Sequence, residues 1–336
     1  MKLFQVLGLS LSDSNETGLP RRLPYGTIAL GIGLVGVAWV GYLAIKALQP
    51  SPAITVQQIE AGGGIPFVVK RGKKERLLEY FIHGDSESNR VLVALHGAQT
   101  TGNLFSMLHS WAVSEKIKIV APTLPGFGLT SWDPDLTLEE WVEDIEELLS
   151  SQQVDNFHIL GTSLGSIYAA ALASLYQARQ AVLNVELYVA FAPADDTHDP
   201  LKGSVLKMFA DMRSTPFLKK VFENLVVMPL MRTFLPRDND VSRAIRHQWE
   251  GMASCADVIY QPWRFDCTDL VTEGRKVVIV SGRSDTAAPP HNQHRLHGMI
   301  SGSTLVEYDG EHDRALREPQ LMIAHLELIV NEEDVK

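Results

Sequence analysis

From about residue 60 onward, short unbroken apolar runs alternate with longer amphipathic stretches. Val91-Leu-Val-Ala-Leu95 and residues 117–121, 157–160, 186–190 and 276–280 are each almost wholly apolar and five residues long or less. Such runs suit strands buried on both faces of a parallel sheet. Residues 304–308 form a last strand of this kind. Residues 65–69 and 77–82 predict two further strands, joined by the basic turn Arg71-Gly-Lys73-Lys74-Glu-Arg76, which reads as a solvated hairpin tip. Helical periodicity fills the gaps at residues 103–113, at 137–150 and from 167 onward. The second of these helices opens on Thr137-Leu-Glu-Glu140, a capping-box pattern, and its acidic run through Glu147 reads as a solvated face. Strands alternating with helices predict an α/β fold with a mainly parallel central sheet.

The alternation breaks at two places. Between about residues 196 and 270 the chain predicts several apolar helical stretches, at 201–212, 216–235 and 241–256, rich in Met, Phe, Leu and Val. Inserted after a sheet strand, they predict a helical cap over the strand ends, where open sheets bind ligands. That region is either ordinary helical core or a lid whose methionines line an acyl-chain entrance. Near the N-terminus, residues 25–48 carry no charge until Lys46. About 20 such residues cross a bilayer, so a single transmembrane helix is expected there. A cleaved signal peptide has a shorter apolar core, and a mitochondrial presequence is poor in acids, whereas Asp13 and Glu16 precede this run. The predicted organisation is a leader (1–24), the membrane helix (25–48), a linker (49–62), the catalytic domain (63–332) and a short tail (333–336).

Composition narrows the classes. The chain has 336 residues and a formal net charge of -10, a poor match for nucleic acid. Its two cysteines, Cys255 and Cys267, form no C-x-x-C pattern and read as free thiols. Neither a cofactor nor a metal is expected. His291, His294 and His297 recur every third residue and read as a surface helix. Arg21 and Arg22 mildly favour a cytoplasmic N-terminus, while Lys70, Arg71, Lys73 and Lys74 argue the other way, so orientation and compartment stay open.

The chemistry centres on Gly161-Thr162-Ser163-Leu164-Gly165. A strand that turns sharply into a helix leaves no room for side chains at the two glycines, and it lifts the Ser163 hydroxyl clear of the sheet. The Leu164 N–H then points at any oxyanion formed there, and the Ala98 N–H, after His96-Gly97, is the second expected oxyanion donor. His96 reads as a structural residue behind that hole. A serine needs a base, and the base an orienting acid. His312 in Asp309-Gly-Glu-His312 is the expected base and Asp285 in Gly282-Arg-Ser-Asp285 the expected acid, with Asp195 and Asp196 as alternatives to Asp285.

Taken together, His96-Gly97, Pro125-Gly-Phe-Gly128, the elbow, Gly282-x-x-Asp285 and Gly310-Glu-His312 resemble the α/β-hydrolase superfamily over about residues 60–332. The elbow preceded by an apolar anchor also resembles membrane-bound monoacylglycerol lipases. That resemblance implies a membrane-anchored serine hydrolase acting on carboxylic esters, lipid or monoacylglycerol-like, through an acyl-enzyme on Ser163. Ser166 and Glu311 depart from the family pattern, where a glycine and a small residue are usual. A C–C-bond hydrolase or acyltransferase with the same triad, and a silent scaffold, are the other readings.

Overall fold

In the computed structural model, eight strands form one sheet in the order β1-β2-β4-β3-β5-β6-β7-β8. They are β1 (Ile65–Arg71), β2 (Lys74–Gly84), β3 (Val91–Leu95), β4 (Lys118–Pro122), β5 (Phe157–Thr162), β6 (Val182–Tyr188), β7 (Val277–Gly282) and β8 (Thr304–Tyr308). The structure describes residues 38, 39, 41, 42, 53–71, 74–176, 181–204, 206–211, 240–248, 250–271 and 275–330. From β3 to β8 every pairing is parallel, while β1 and β2 form an antiparallel hairpin whose second strand runs against β4. The unbroken apolar runs at β3, β5 and β7 are buried at every position, because helices cover both faces.

One face carries α3 (Leu138–Ser151), α4 (Gly165–Leu175) and α8 (His291–Met299), the other a 3₁₀ helix (Gly102–Leu108), α2 (His109–Ser114), α9 (Arg314–Arg317) and α10 (Pro319–Val330). Thr137 caps α3 with the reciprocal bonds its sequence predicts, to and from Glu140. The segment expected as one helix at 103–113 begins instead as 3₁₀. Its buried residues, Gly102, Phe105 and Leu108, fall every third position, the repeat of that tighter helix. The expected linker at 49–62 holds a short helix, α1 (Val56–Ala61), with a Thr55/Gln58 capping box and Ile59 fully buried.

Two charged segments expected to face solvent meet each other. Arg71 bonds Asp144 and Glu143, Arg76 bonds Asp144 at 2.6 Å, and Lys74 pairs with Asp133. Asp144 is buried, so the acidic run on α3 is not a uniformly solvated face.

Of the predicted cap, the described parts are α5 (Lys207–Asp211), α6 (Asp240–Arg246), α7 (Glu250–Tyr260) and a 3₁₀ turn at Cys267–Leu270. The expected helix at 216–235 lies outside the described residues. The stretch 241–256 divides into α6 and α7, and between them Gln248 turns inward to donate to the carbonyls of Phe127, Gly128 and Thr130. Gly251 then lies against Gly126, where a Cβ would come 2.6 Å from the Gly126 carbonyl. Two compact units divide the chain, residues 1–47 and 48–336. The expected transmembrane helix at 25–48 falls, but for four helical residues, outside the described ones, and among the described residues no helix is long and apolar enough to cross a membrane.

Candidate active site

At the end of β5 the chain reverses into α4, and Ser163 sits at the corner with φ +52°. A non-glycine residue in that region is strained, and the surroundings hold it there. The Ser163 N–H donates to Tyr188 O at 2.8 Å. The flanking glycines are required by contact: a Cβ on Gly161 would lie 2.4 Å from that of Ala169, and one on Gly165 would lie 2.3 Å from Leu95 O. Ser166 donates from Oγ to Ser163 O at 2.5 Å and accepts the Phe191 N–H at 3.3 Å. Its hydroxyl therefore ties the elbow to the chain leaving β6.

Three residues far apart in sequence converge here. His312 Nε2 lies 2.9 Å from Ser163 Oγ, and His312 Nδ1 lies 2.7 Å from Asp285 Oδ2. Asp285 follows β7, with its carboxylate fully buried, and its other oxygen accepts the N–H groups of Ala287 and Ala288, both at 2.8 Å. With both backbone donors on Oδ1, Oδ2 is left to accept the Nδ1 proton. This fixes the tautomer in which Nε2 accepts from the serine hydroxyl. Tyr308, at the end of β8, donates from its hydroxyl to Glu311 O at 3.1 Å and so pins the loop before His312. The Glu311 side chain is exposed. Asp195 is held instead by Thr197 and Arg295.

On the far side of Ser163, Gly97 approaches so closely that a Cβ there would be 2.9 Å from the serine Cβ. His96 is fully buried behind it. Its Nδ1–H donates to Gly97 O at 2.7 Å and its Nε2 accepts the Leu124 N–H at 2.8 Å. Burial pushes its pKa down to about 4, so the ring is neutral at pH 7. The Gly97 carbonyl and the Ala98 N–H belong to one planar peptide unit, so fixing the carbonyl also fixes the direction of that N–H. Leu164 is the N-cap of α4, where an N–H has no intrahelical acceptor, and among the described residues no backbone carbonyl takes either N–H. A cavity of about 60 Å³ opens between these groups and His312.

The remaining candidates have other partners. His291 bonds Asp199 O, His294 pairs with Glu307 and His297 bonds Ser303, so the three histidines diverge. Cys255 is buried and donates from its thiol to Gly251 O at 3.2 Å, while burial pushes the Cys267 thiol up to about 12. Sequence reasoning missed a polar seam joining α6 to the loop after β3 and to β2. Asp240 accepts the Thr101 N–H at 2.7 Å and its hydroxyl at 2.5 Å, and Arg243 donates to the fully buried Glu79 at 2.8 Å. The one available signal was Glu79 itself, an acid inside the apolar β2 run.

The sequence profile described as the alpha/beta hydrolase family matches residues 91–325. One curated relative, the 3-hydroxybutyrate-oligomer hydrolase of Cupriavidus necator, is 31% identical over 101 residues, covering 29% of this chain and 34% of that protein. The chain thus matches only about a third of that relative's length. Among solved structures, the esterase EaEST from Exiguobacterium antarcticum aligns with a TM-score of 0.59 at 17% identity, covering 80% of this chain and 100% of the esterase. A bromoperoxidase from Bacillus anthracis aligns at 0.61 and 17% identity over 80% and 100% of the two chains. An enol-lactonase from Burkholderia xenovorans LB400 aligns at 0.59 and 19% identity over 76% and 97%.

Proposed function

The chain belongs to the alpha/beta hydrolase family, and from that premise we propose that it is a serine hydrolase that cleaves carboxylic esters through an acyl-enzyme on Ser163. The observation that carries this is the imidazole of His312, within hydrogen-bond reach of Ser163 Oγ on one side and Asp285 on the other. Ser163 Oγ attacks the ester carbonyl while His312 Nε2 takes its proton. The carbonyl oxygen becomes an oxyanion held by the Ala98 and Leu164 N–H groups. The intermediate collapses, the C–O bond to the alcohol breaks, and His312 returns the proton to the departing oxygen. Water then repeats the sequence on the acyl-enzyme, releasing the acid and restoring the serine. No cofactor or metal enters these steps.

The lipid character of the ester and attachment to a membrane belong to the same proposal. Their support is the apolar run at residues 25–48 and the apolar composition of residues 201–235. An acyltransferase differs only in the final acceptor, and a C–C-bond hydrolase only in the bond cleaved. Product analysis with and without an added alcohol separates these from hydrolysis of esters.

The test is direct. The wild-type chain should take a fluorophosphonate label at Ser163 and hydrolyse p-nitrophenyl esters. Ser163→Ala should abolish the label and lower kcat/KM by roughly a thousandfold or more. A wild-type chain that takes no label overturns the assignment.

A further inference from the structure

We propose that Asp240, the first residue of α6, is a positioning residue that keeps the Ala98 N–H aimed at the oxyanion. The inference rests on the ester-hydrolase reading above and makes its chemistry depend on a helix of the cap. Between β3 and the 3₁₀ helix the chain makes a tight turn through Ala98 and Gln99. Gln99 sits there at φ +66°, a left-handed conformation that a side chain resists. Such a residue persists only where its surroundings over-determine it. At the near end of the turn Gly97 O accepts from His96 Nδ1 at 2.7 Å and from the Thr100 hydroxyl at 3.0 Å. Both donors belong to the same short segment, so the far end needs an anchor from elsewhere.

Asp240 supplies that anchor across 139 residues of sequence. Its Oδ2 accepts the Thr101 N–H at 2.7 Å, and its Oδ1 accepts the Thr101 hydroxyl at 2.5 Å. An ionised carboxylate offers acceptors only, and here its two oxygens take both donors of one residue. The backbone and the side chain of Thr101 are therefore fixed together, three residues beyond Ala98. The same hydroxyl accepts the Asn103 N–H at 3.2 Å, so the entry to the 3₁₀ helix is tied to the same point.

The stretch 240–248 also grips the other loop on which the Ala98 N–H depends. His96 Nε2 accepts the Leu124 N–H, so the segment after β4 orients the ring that holds Gly97 O. In that segment the Gly128 N–H donates to Ala244 O at 2.9 Å. Gln248 donates to Phe127 O at 3.2 Å and to Gly128 O at 3.3 Å. Two loops that meet at Gly97 thus close on one stretch of the cap, and Asp240 holds the loop that bears the donor. An oxyanion donor acts on charge that develops only in the transition state, so its direction weighs on kcat and not on substrate binding. A donor misplaced by a fraction of an ångström loses rate while the ground state stays almost as it was.

The experiment uses the full-length chain with p-nitrophenyl butanoate, and kcat is counted per serine labelled to completion by a fluorophosphonate. Asp240→Ala should lower kcat by roughly tenfold or more, with KM within about twofold of wild type. It should weaken butylboronic acid, whose tetrahedral adduct on Ser163 mimics the oxyanion, by a similar factor. Asp240→Asn keeps an oxygen for the Thr101 N–H and turns an amide N–H toward the hydroxyl. It should therefore recover kcat to within about threefold of wild type. Thr101→Val deletes one of the two bonds at nearly constant volume and should lower kcat by about threefold or more. A folding failure of Asp240→Ala thus leaves Thr101→Val decisive, and wild-type kcat there overturns the proposal. Wild-type kcat and boronate affinity in Asp240→Ala, with only the urea midpoint lowered, overturns it too, since the residue then serves the fold alone. A raised KM at unchanged kcat does the same by placing Asp240 in substrate binding. A wild-type chain that takes no fluorophosphonate label overturns the ester-hydrolase reading itself. A labelled, active wild type beside an indifferent Asp240→Ala removes only the role of Asp240.

Discussion

At the scale of single residues, the site depends on groups that never touch a reacting atom. His96 is the clearest, since both ring nitrogens are committed to backbone partners that shape the loop after β3. Its folded pKa of about 4 lies below the ordinary 6.5, so the unfolded chain takes up a proton on this ring before the folded one does. The stability this ring contributes is therefore fully present above pH 6.5 and is lost as pH falls toward 4, by an amount on the order of 3 kcal/mol. Urea unfolding across that window should show a shallower pH dependence in His96→Asn than in the wild type. Parallel curves for the two would remove His96 from the account. The convergence of Ser163, Asp285 and His312 was legible because a serine, an acid and a histidine stood in that order at strand ends. Tyr308 and Ser166 were not, since a hydroxyl that pins a loop carries no pattern in sequence.

At the scale of elements, the apolar runs at β3, β5 and β7 announced a buried parallel sheet, because two covered faces leave no polar alternation to misread. The errors came where charge met charge across the fold. The basic hairpin and the acidic helix each looked solvated alone, yet Arg71 and Arg76 close on Asp144. A charged side chain shows its sign in sequence but not its partner. The same limit hid the link between α6 and the sheet, in which Arg243 lies 4.7 Å over the Phe81 ring and donates to Glu79. Removing one partner of a buried pair leaves the other uncompensated. Arg243→Met should therefore cost about 2–3 kcal/mol in urea melts, at the low end because Thr123 and the Leu129 N–H still reach Glu79. Glu79→Gln combined with Arg243→Met should cost less than the sum of the single changes. Strict additivity would mean that the pair does not seat the cap helix on the sheet.

For the whole molecule, the open matter is how a hydrolase of net charge -10 would meet a lipid substrate. An anionic bilayer surface repels such a chain and attracts only exposed basic clusters. The obvious cluster is the β1–β2 hairpin, but Arg71, Lys74 and Arg76 are engaged by Glu143, Asp144 and Asp133. Electrostatic docking through those three residues is thereby weakened, so the proposed attachment to a membrane rests on the apolar run at residues 25–48. The two mechanisms differ in their response to salt, because hydrophobic insertion is not screened and surface attraction is. Full-length protein made in cells should stay with the membrane fraction through washes in 1 M salt and in alkaline carbonate. A chain beginning at residue 51 should be found in the supernatant, still labelled at Ser163. Release of the full-length protein by carbonate would refute a spanning helix, and release by salt alone would return the attachment to surface charge.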